Sequence, residues 1–416
     1  LVNTVKLYNM CDEYEIDCGF KYPQIYDDPK TTLMLRCVSR LYSLDYIKQS
    51  EYGKYIERID YELGVMEKLG SLSYMNLFSD WLSWCKEVGI AIGYSRGSAS
   101  GSLVAYLTKI TNMDSLMWDM SFERFMNPLR VGLADIDLDI QPSRRQEARG
   151  WFFNHPQLNS SDILTFGTVA YKGACDTIIR TSELTKQQGE QLKEMYADIR
   201  TEFELSDSDL FREKLPIEVD ELAKRMGDYG DLIRKVVLLE GCIVSIGSHP
   251  AGVLVTDLDI RRKIGVITME DKDTGEYKLV SQCDMKELDA MGYVKADALG
   301  LSTVGAIKRT VDYLGIEFPN PQNFNFHDGK VWEDIKKSPC MIFQFEENKA
   351  HEYMKTALDY VEVDKKLHTM SMMSGLIRPS GKSIRDRFLK GEVGDNGHPE
   401  VDKAFPNTSG FCVYQE

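Results

Sequence analysis

Hydrophobic residues recur at helical spacing near the start of the chain. In residues 52–69, Ile59, Leu63 and Met66 fall on one stripe, which predicts an amphipathic helix that ends before a glycine. The same spacing from about residue 76 to residue 88 predicts a second helix with large apolar side chains turned inward. Both segments therefore predict helices with one buried face.

Three later segments carry strand signals, and in the first and the third of them apolar and polar residues alternate. The segments are DIDLDI (135–140), HPAGVLVTD (249–257) and GYVKADALG (292–300). From about residue 167 to 240, charged helical patterns predict a helical insertion. Beyond about residue 302 the pattern is mainly helical. This mixture predicts an α/β chain of the α+β type.

The composition is that of a soluble globular protein. The 416 residues are 43% hydrophobic and 28% charged, and no apolar run is long enough to predict a membrane span. The nine cysteines are dispersed and form no C-x-x-C pair, which favours reduced thiols in a cytoplasmic protein. The length suits about two to four domains.

The charge balance is acidic, with one basic exception. The net charge of −15 argues against a uniformly basic surface for nucleic acid. Residues 377–390, however, hold one acid among five basic residues, which are Arg378, Lys382, Arg385, Arg387 and Lys390. We expect this segment to face phosphates. A solvated surface loop is the alternative.

Three aspartates mark the first predicted strand. Asp135, Asp137 and Asp139 occupy alternate positions and share one face. Their carboxylates would lie about 7 Å apart along the strand and would repel one another. A divalent cation removes this conflict, and Mg²⁺ prefers carboxylate oxygens together with substrate phosphates. A calcium loop, which needs a glycine after the third acid, and a solvated acidic face are the alternatives.

A Gly/Ser-rich segment, GYSRGSASGS at residues 93–102, lies between a short predicted strand and a predicted helix. Its N–H groups and hydroxyls suit a triphosphate, although a flexible linker is the alternative. Later in the chain, Lys295 and Asp297 share a face of the strand predicted at 293–298, so Asp297 could bind a metal beside the first aspartates. This combination is typical of a nucleotidyltransferase.

The order of these motifs resembles family C, the bacterial replicative DNA polymerases, including phage versions. The residues that carry the resemblance are, in order, GYSRGSASGSLVAYLTKIT, FERFMNPLRVGLADIDLDI, SRRQE, ILTFGTVAYKGA, GSHPAGVLV, CDMKELDAMGYVKADALGLSTV, IFQFEENKAHEYM, IRPSG and VYQE. They cover nearly the whole chain. The resemblance therefore supplies expectations for the fold, the site and the reaction.

For the fold, the resemblance implies a palm of the polymerase beta-like nucleotidyltransferase type, with a mixed sheet. It implies palm at residues 1–166 and 248–301, a helical thumb insertion at 167–247, and the first part of largely helical fingers at 302–416. Family members normally begin with a histidine-rich PHP domain and continue into longer fingers, a duplex-binding tail and a clamp-binding peptide. We therefore expect this chain to be a fragment that need not be active alone.

For the site, the resemblance assigns the catalytic and metal-binding roles to Asp135, Asp137 and Asp297, with Asp139 secondary. The residues that it places near the incoming nucleotide are Arg96, Gly97, Ser98, Arg124, Arg130, Lys295 and Arg378. Three departures from the family pattern are Ala134 in place of a proline, GYSRGS in place of GPGRGS, and DALGL in place of DFLGL. None of them removes a catalytic group.

The resemblance implies a DNA-templated DNA polymerase that uses two Mg²⁺ ions to add deoxynucleotides to a primer 3′-hydroxyl. Its partners would be primer–template DNA, dNTPs, a sliding clamp and other replisome subunits, with no membrane. Its place would be the cytoplasm, at the nucleoid, or the host cytoplasm for a phage protein. A non-templated nucleotidyltransferase and a non-catalytic, polymerase-derived scaffold remain the alternatives.

Overall fold

The computed structural model describes residues 2–11, 15, 17–129, 135–271 and 274–414. Within these ranges, helices account for most of the regular structure. None of the described helices combines the length and the apolar character that a membrane span needs.

Helices and strands are both present, which confirms the predicted α+β class. The α-helices are, in chain order, α1 (Val2–Tyr8), α2 (Pro29–Leu41), α3 (Tyr52–Lys68), α4 (Leu72–Glu87), α5 (Leu103–Leu107), α6 (Arg145–Asn154), α7 (Tyr171–Thr181), α8 (Lys186–Glu202), α9 (Val219–Arg225), α10 (Gly230–Leu239), α11 (Ile260–Lys263), α12 (Met285–Ala290), α13 (Ser302–Leu314), α14 (Gly329–Ile335), α15 (Asn348–Asp359), α16 (Val363–Leu376), α17 (Lys382–Phe388) and α18 (Pro399–Lys403). The strands are β1 (Asp137–Ile140), β2 (Ser161–Thr168), β3 (Ile243–Val255), β4 (Val266–Glu270), β5 (Tyr277–Asp284) and β6 (Val294–Gly300).

The chain forms two compact units. The first comprises residues 1–18, 161–254 and 259–291, and the second comprises residues 19–160, 255–258 and 292–416. These bounds differ from those expected for palm, thumb and fingers, because the first unit joins most of the strands to the helices expected in the thumb. The assignment of palm, thumb and fingers stays a prediction.

The first unit contains a mixed sheet in the order β3-β2-β5-β4. Strand β2 is antiparallel to β3 and parallel to β5, and β5 is antiparallel to β4. Helices α7 to α10 occupy the predicted helical insertion and share a separate apolar core, which includes Leu192, Tyr196 and Phe211. The helical structure predicted for this region is therefore confirmed.

A buried ion pair lies inside the helical core of the first unit. The Arg200 guanidinium contacts Glu240 at 2.7 Å, and the Tyr196 hydroxyl donates to the same carboxylate at 2.6 Å. The guanidinium also lies 4.4 Å from the centre of the Tyr171 ring. These contacts satisfy charges that would otherwise be costly in an apolar core.

The two helices predicted first are present in the second unit. Helix α3 buries Ile59, Leu63 and Met66 completely, as its stripe predicts. Helix α4 begins at Leu72, earlier than predicted, because its first turn is also buried. Polar residues such as Asn76 interrupt the apolar pattern of the sequence here. Asn76 is nevertheless buried, and its amide donates to backbone carbonyls inside the core.

Strands β1 and β6 form a parallel pair in the second unit. The apolar residues of the two strands are buried at 4% exposure or less, namely Ile136, Leu138, Ile140, Val294, Ala296 and Ala298. The burial predicted for the apolar face of both segments is therefore confirmed, although Asp139 and Asp297 on the other face are buried too. Ile136 precedes the first hydrogen-bonded residue of β1, so the strand is shorter than the pattern that predicts it.

The basic segment 377–390 is largely a helix, α17, and one of its arginines is buried. Arg385 lies 4.2 Å from the centre of the Tyr353 ring and is 7% exposed, so it neither faces solvent nor is free to meet phosphates. Arg387 pairs with Glu392 at 2.8 Å. The expectation of a phosphate-facing segment is therefore wrong for Arg385, and the alternative of a solvated loop is wrong for it too.

Candidate active site

Three carboxylates meet where β1 and β6 run side by side. The parallel register places Asp137 opposite Asp297, and Asp135 lies just before β1. Oxygen atoms of all three lie within 4.8 Å of one another. Asp135 is exposed, Asp137 is half-buried and Asp297 is buried. This arrangement could hold a metal ion.

Lys295 lies beside the carboxylates. Its ammonium contacts Asp297 Oδ2 at 2.8 Å and is 3.7 Å from Asp135 Oδ2. Burial lowers the pKa of Lys295, but the hydrogen bond to Asp297 and the charges of Asp135 and Asp137 outweigh this and raise it above its usual value. The lysine is therefore charged at neutral pH and partly neutralises the cluster.

The chemistry of these donors fits a hard divalent cation. All three side chains offer carboxylate oxygen, which Mg²⁺ prefers. The second oxygen of Asp297, Oδ1, is inaccessible to solvent and has no hydrogen-bond partner among the described residues. A buried carboxylate oxygen without a partner is costly, and a bound cation would satisfy it.

Asp139 does not belong to this cluster. Its carboxylate contacts the Arg96 guanidinium at 2.9 Å, and its side chain is 8% exposed. Its backbone carbonyl accepts from the Gly93 N–H at 2.7 Å, and a Cβ at Gly93 would approach the Asp139 Cβ to 2.9 Å. The third aspartate of DIDLDI therefore fixes the Gly/Ser segment beside the strand, in line with its secondary status in the prediction.

The Gly/Ser segment lies next to Asp137. Gly97 has a φ of +65°, which favours glycine, and a Cβ built on it would lie 3.9 Å from Asp137 Oδ2. Residues 97–101 form a 3-10 turn that leads into α5. Ser98, in this turn, is half-buried. The predicted loop and helix are present, although α5 has only five residues.

A buried glutamate that the sequence analysis did not single out supports this turn. The Glu62 carboxylate accepts from the Ser102 hydroxyl at 2.7 Å and from the N–H groups of Leu103 and Val104 at 2.9 and 3.0 Å. Arg58 pairs with Glu62 at 2.7 Å and donates to the Gly101 carbonyl at 3.1 Å. These contacts join α3 to the Gly/Ser segment.

The other predicted nucleotide contacts are placed as follows. Arg124 lies in an exposed turn, and Arg378 is exposed just after α16. Arg130 lies outside the described residues. The role of all three stays a prediction, whereas Arg96, Gly97 and Lys295 lie at the strand pair that carries the aspartates.

Replacing Lys295 by methionine should tighten Mn²⁺ binding to the cluster about threefold to tenfold. The ammonium competes with a cation for Asp297 and Asp135, and removing one nearby charge changes ion affinity by about 1 kcal/mol. Calorimetric titration of Mn²⁺ at neutral pH measures this change. The matched control replaces the exposed Lys54 of α3 by methionine. Equal or weaker binding by the Lys295 variant would contradict the competition.

Comparisons with known proteins point to one family. Residues 32–300 match the family described as the bacterial DNA polymerase III alpha NTPase domain. DNA polymerase III subunit alpha of Caulobacter vibrioides is 28% identical over 87% of this chain and 31% of that protein. The Campylobacter jejuni protein of the same name is 26% identical over 90% of this chain and 31% of its own length. The one from Rickettsia conorii is 28% identical over 94% of this chain and 34% of its own length. The chain thus spans about a third of the length of these relatives.

Proposed function

Because the chain belongs to the bacterial DNA polymerase III alpha family, we propose that it carries the catalytic core of a DNA-templated DNA polymerase. The observation that supports this best is the cluster of Asp135, Asp137 and Asp297, whose oxygens lie within 4.8 Å of one another. The relatives named above are DNA polymerase subunits, so the same reaction is the natural candidate for this site.

In the proposed reaction, the primer 3′-hydroxyl oxygen attacks the α-phosphorus of a deoxynucleoside triphosphate. A new P–O bond forms, the bond between the α-phosphate and the β-phosphate breaks, pyrophosphate leaves, and the hydroxyl proton passes to water. Asp135, Asp137 and Asp297 would hold two Mg²⁺ ions. Bound there, the metal would lower the pKa of the hydroxyl and stabilise the charge of the leaving pyrophosphate.

The chain's own residues would position the triphosphate. Lys295 is charged, lies at the carboxylates, and would meet a phosphate oxygen. The turn that starts at Gly97 approaches Asp137 closely, so its N–H groups and the Ser98 hydroxyl would face the phosphates. Arg96 would stay anchored by Asp139 near that turn. Positioning of this kind accounts for a large part of the barrier reduction in such reactions.

The wider assignment also remains a proposal. Residues 1–166 and 248–301 would form the palm, residues 167–247 the thumb and residues 302–416 the first part of the fingers. Arg124, Arg130 and Arg378 would contact the nucleotide. The partners would be primer–template DNA and dNTPs, with a sliding clamp and other replisome subunits contacted by parts that the longer relatives have. The protein would work in the cytoplasm, at the nucleoid or, for a phage protein, in the host.

The proposal is tested by primer extension with Mg²⁺ and dNTPs, using the chain beside its Asp137→Ala variant. Because the relatives are about three times longer, the same pair of proteins is also assayed after extension with flanking segments from these relatives, and we call this form the extended protein. We expect addition of the nucleotide that the template specifies, and its loss in the variant.

Other outcomes separate the alternatives. Addition to single strands regardless of template would instead identify a non-templated nucleotidyltransferase. No addition by the folded, extended protein would overturn the polymerase proposal and leave a non-catalytic scaffold.

A further inference from the structure

The second unit contains a cavity of about 460 Å³, and the three carboxylates of the cluster are not among the residues that line it. It lies between the ends of α2 and α4, the turn after α5, and α13 with the segment that follows it. The residues that line it include four basic and two aromatic side chains, which are Arg40, Lys86, Lys109, Lys308, Tyr94 and Phe318. Its volume is in the range of small-molecule sites. We call it the α4–α13 cavity.

Positive charge dominates this cavity. Four basic side chains line it, and the carboxylate among its described lining residues, Asp312, is paired with Lys308. The remaining three, Arg40, Lys86 and Lys109, form a basic cluster in a chain whose net charge is −15. Burial, followed by the charges of Lys109 and Arg40, lowers the pKa of Lys86 to about 8. Like charges thus lie close together at this site.

Of the three cations in the basic cluster, only Lys86 donates hydrogen bonds from its side chain to acceptors among the described residues. The Lys86 ammonium donates to the Lys109 carbonyl and to Asn112 Oδ1, both at 2.9 Å. In contrast, the Arg40 guanidinium has no acceptor among the described residues, and its Nε is inaccessible to solvent. The Lys109 ammonium likewise has no acceptor in the described part of the chain.

Nearby carboxylates do not supply the missing acceptors. Asp80, which borders a neighbouring cleft shared with Arg40 and Lys109, pairs with Arg36 at 2.7 Å and accepts from a tyrosine. Asp114 accepts from the hydroxyls of two tyrosines, at 2.8 Å in both cases. Arg40 is half-buried and Lys109 is exposed at the rim, but the Arg40 Nε is inaccessible to solvent and lacks an acceptor among the described residues. A buried N–H donor without a partner is costly, so this group beside two further cations points to an anionic ligand.

Other lining residues of the cavity are suited to a flat, partly polar group. The rings of Tyr94 and Phe318 lie 5.7 Å apart, centre to centre, and both line the cavity. Two acceptor atoms of lining residues, Thr111 Oγ1 and Gln322 Oε1, are buried and have no hydrogen-bond partner among the described residues. Aromatic faces bind nucleobases by stacking, and free acceptors suit their amino and imino groups.

We propose that the α4–α13 cavity is a second nucleotide site, which binds a nucleoside phosphate with its phosphates toward the basic cluster. The base would lie against Tyr94 and Phe318. The proposed site uses none of Asp135, Asp137 and Asp297. Tyr94 belongs to the first part of the Gly/Ser segment, but the site uses no residue of that segment from Arg96 onward. The site therefore does not depend on the proposed polymerase function.

The test is calorimetric binding to the whole chain in buffer with EDTA, which removes divalent metal from the carboxylate cluster. The probes are ADP, inorganic pyrophosphate and adenosine. We expect ADP to bind at least about tenfold more tightly than either part alone, since both halves of the cavity contribute. The double variant Arg40→Gln, Lys109→Gln should lose at least about tenfold in ADP affinity, because two charged contacts disappear.

The variants are chosen to leave the fold intact. Arg40 and Lys109 make no side-chain contact with an acceptor among the described residues, so thermal unfolding of the double variant should match that of the original chain. Phe318→Leu keeps apolar volume and should weaken ADP but not pyrophosphate. Lys54→Gln, on the exposed face of α3, and Asp137→Asn should leave ADP binding unchanged.

Three results would overturn the proposal: no ADP binding, ADP affinity unchanged in a folded double variant, or pyrophosphate binding as tight as ADP. Loss of ADP binding in Asp137→Asn would assign the ligand to the carboxylate site and would also overturn it. In contrast, if the original chain binds ADP as expected but shows no templated extension, only the proposed polymerase function is contradicted.

Discussion

Replacing Asp297 by asparagine should reduce templated primer extension by about a thousand-fold or more and remove most of the site's affinity for Mn²⁺. Asp297 has one oxygen on Lys295 and one buried oxygen without a partner among the described residues, directly opposite Asp137 on the neighbouring strand. Asparagine keeps the shape and removes the charge. Loss of one group that stabilises charge in the transition state costs about a hundredfold to a thousandfold, and loss of a metal ligand adds to this.

The matched control is Asp139→Asn. Asp139 lies on β1, two residues after Asp137. Asp139 is similarly buried, but its carboxylate contacts Arg96 and lies outside the cluster. We expect near-normal Mn²⁺ affinity and a loss of activity of about tenfold or less, because only the anchor of Arg96 is removed. Both variants are assayed in the extended protein, after thermal unfolding confirms that they fold. Equal losses in the two variants would contradict the assignment of the metal ligands.

Periodicity predicted the elements that carry this site. The alternation of DIDLDI and of the segment around Lys295 and Asp297 predicts that the apolar side chains are buried, which the structure confirms, but it does not predict that Asp139 and Asp297 are buried as well. Alternation is a local property, and the backbone of a strand enforces it. It does not specify which strands pair, and the register that places Asp137 opposite Asp297 depends on tertiary packing. The face that Asp297 shares with Lys295 made it a candidate, and the resemblance then assigned its catalytic role.

The position of Glu62 in the sequence does contain a signal of its burial. Glu62 lies on the same stripe of α3 as Ile59, Leu63 and Met66, and all four are completely buried. A charged residue on an apolar stripe must find partners, because burying it unpaired is costly. Arg58 lies four residues earlier on the same helix, but the other partners are distant in sequence, at the start of α5, so the pattern could indicate burial but not everything that the carboxylate contacts. The α4–α13 cavity is hidden for the same reason, since separate segments line it.

Replacing Glu62 by glutamine should lower the free energy of unfolding by about 2–4 kcal/mol. The carboxylate accepts four hydrogen bonds, from Arg58, Ser102, Leu103 and Val104. The glutamine amide offers one oxygen and one N–H₂ group, which would face N–H donors of α5. It would also leave Arg58, a partly buried cation, without its anion. Removing one partner of a buried charge pair is strongly destabilising, and buried donors left unsatisfied add to the cost.

Urea unfolding of the chain measures this loss, and Glu67→Gln is the matched control on the same helix. Glu67 pairs with Lys30 at 2.6 Å, but both side chains are about half-exposed, so its removal should cost less than about 0.5 kcal/mol. Because Glu62 holds the end of the turn that begins at Gly97, Glu62→Gln should also raise the KM for dNTP in the extended protein, about tenfold, at temperatures where it remains folded. A loss of stability without any change in KM would show that the Gly/Ser segment keeps its shape independently of α3.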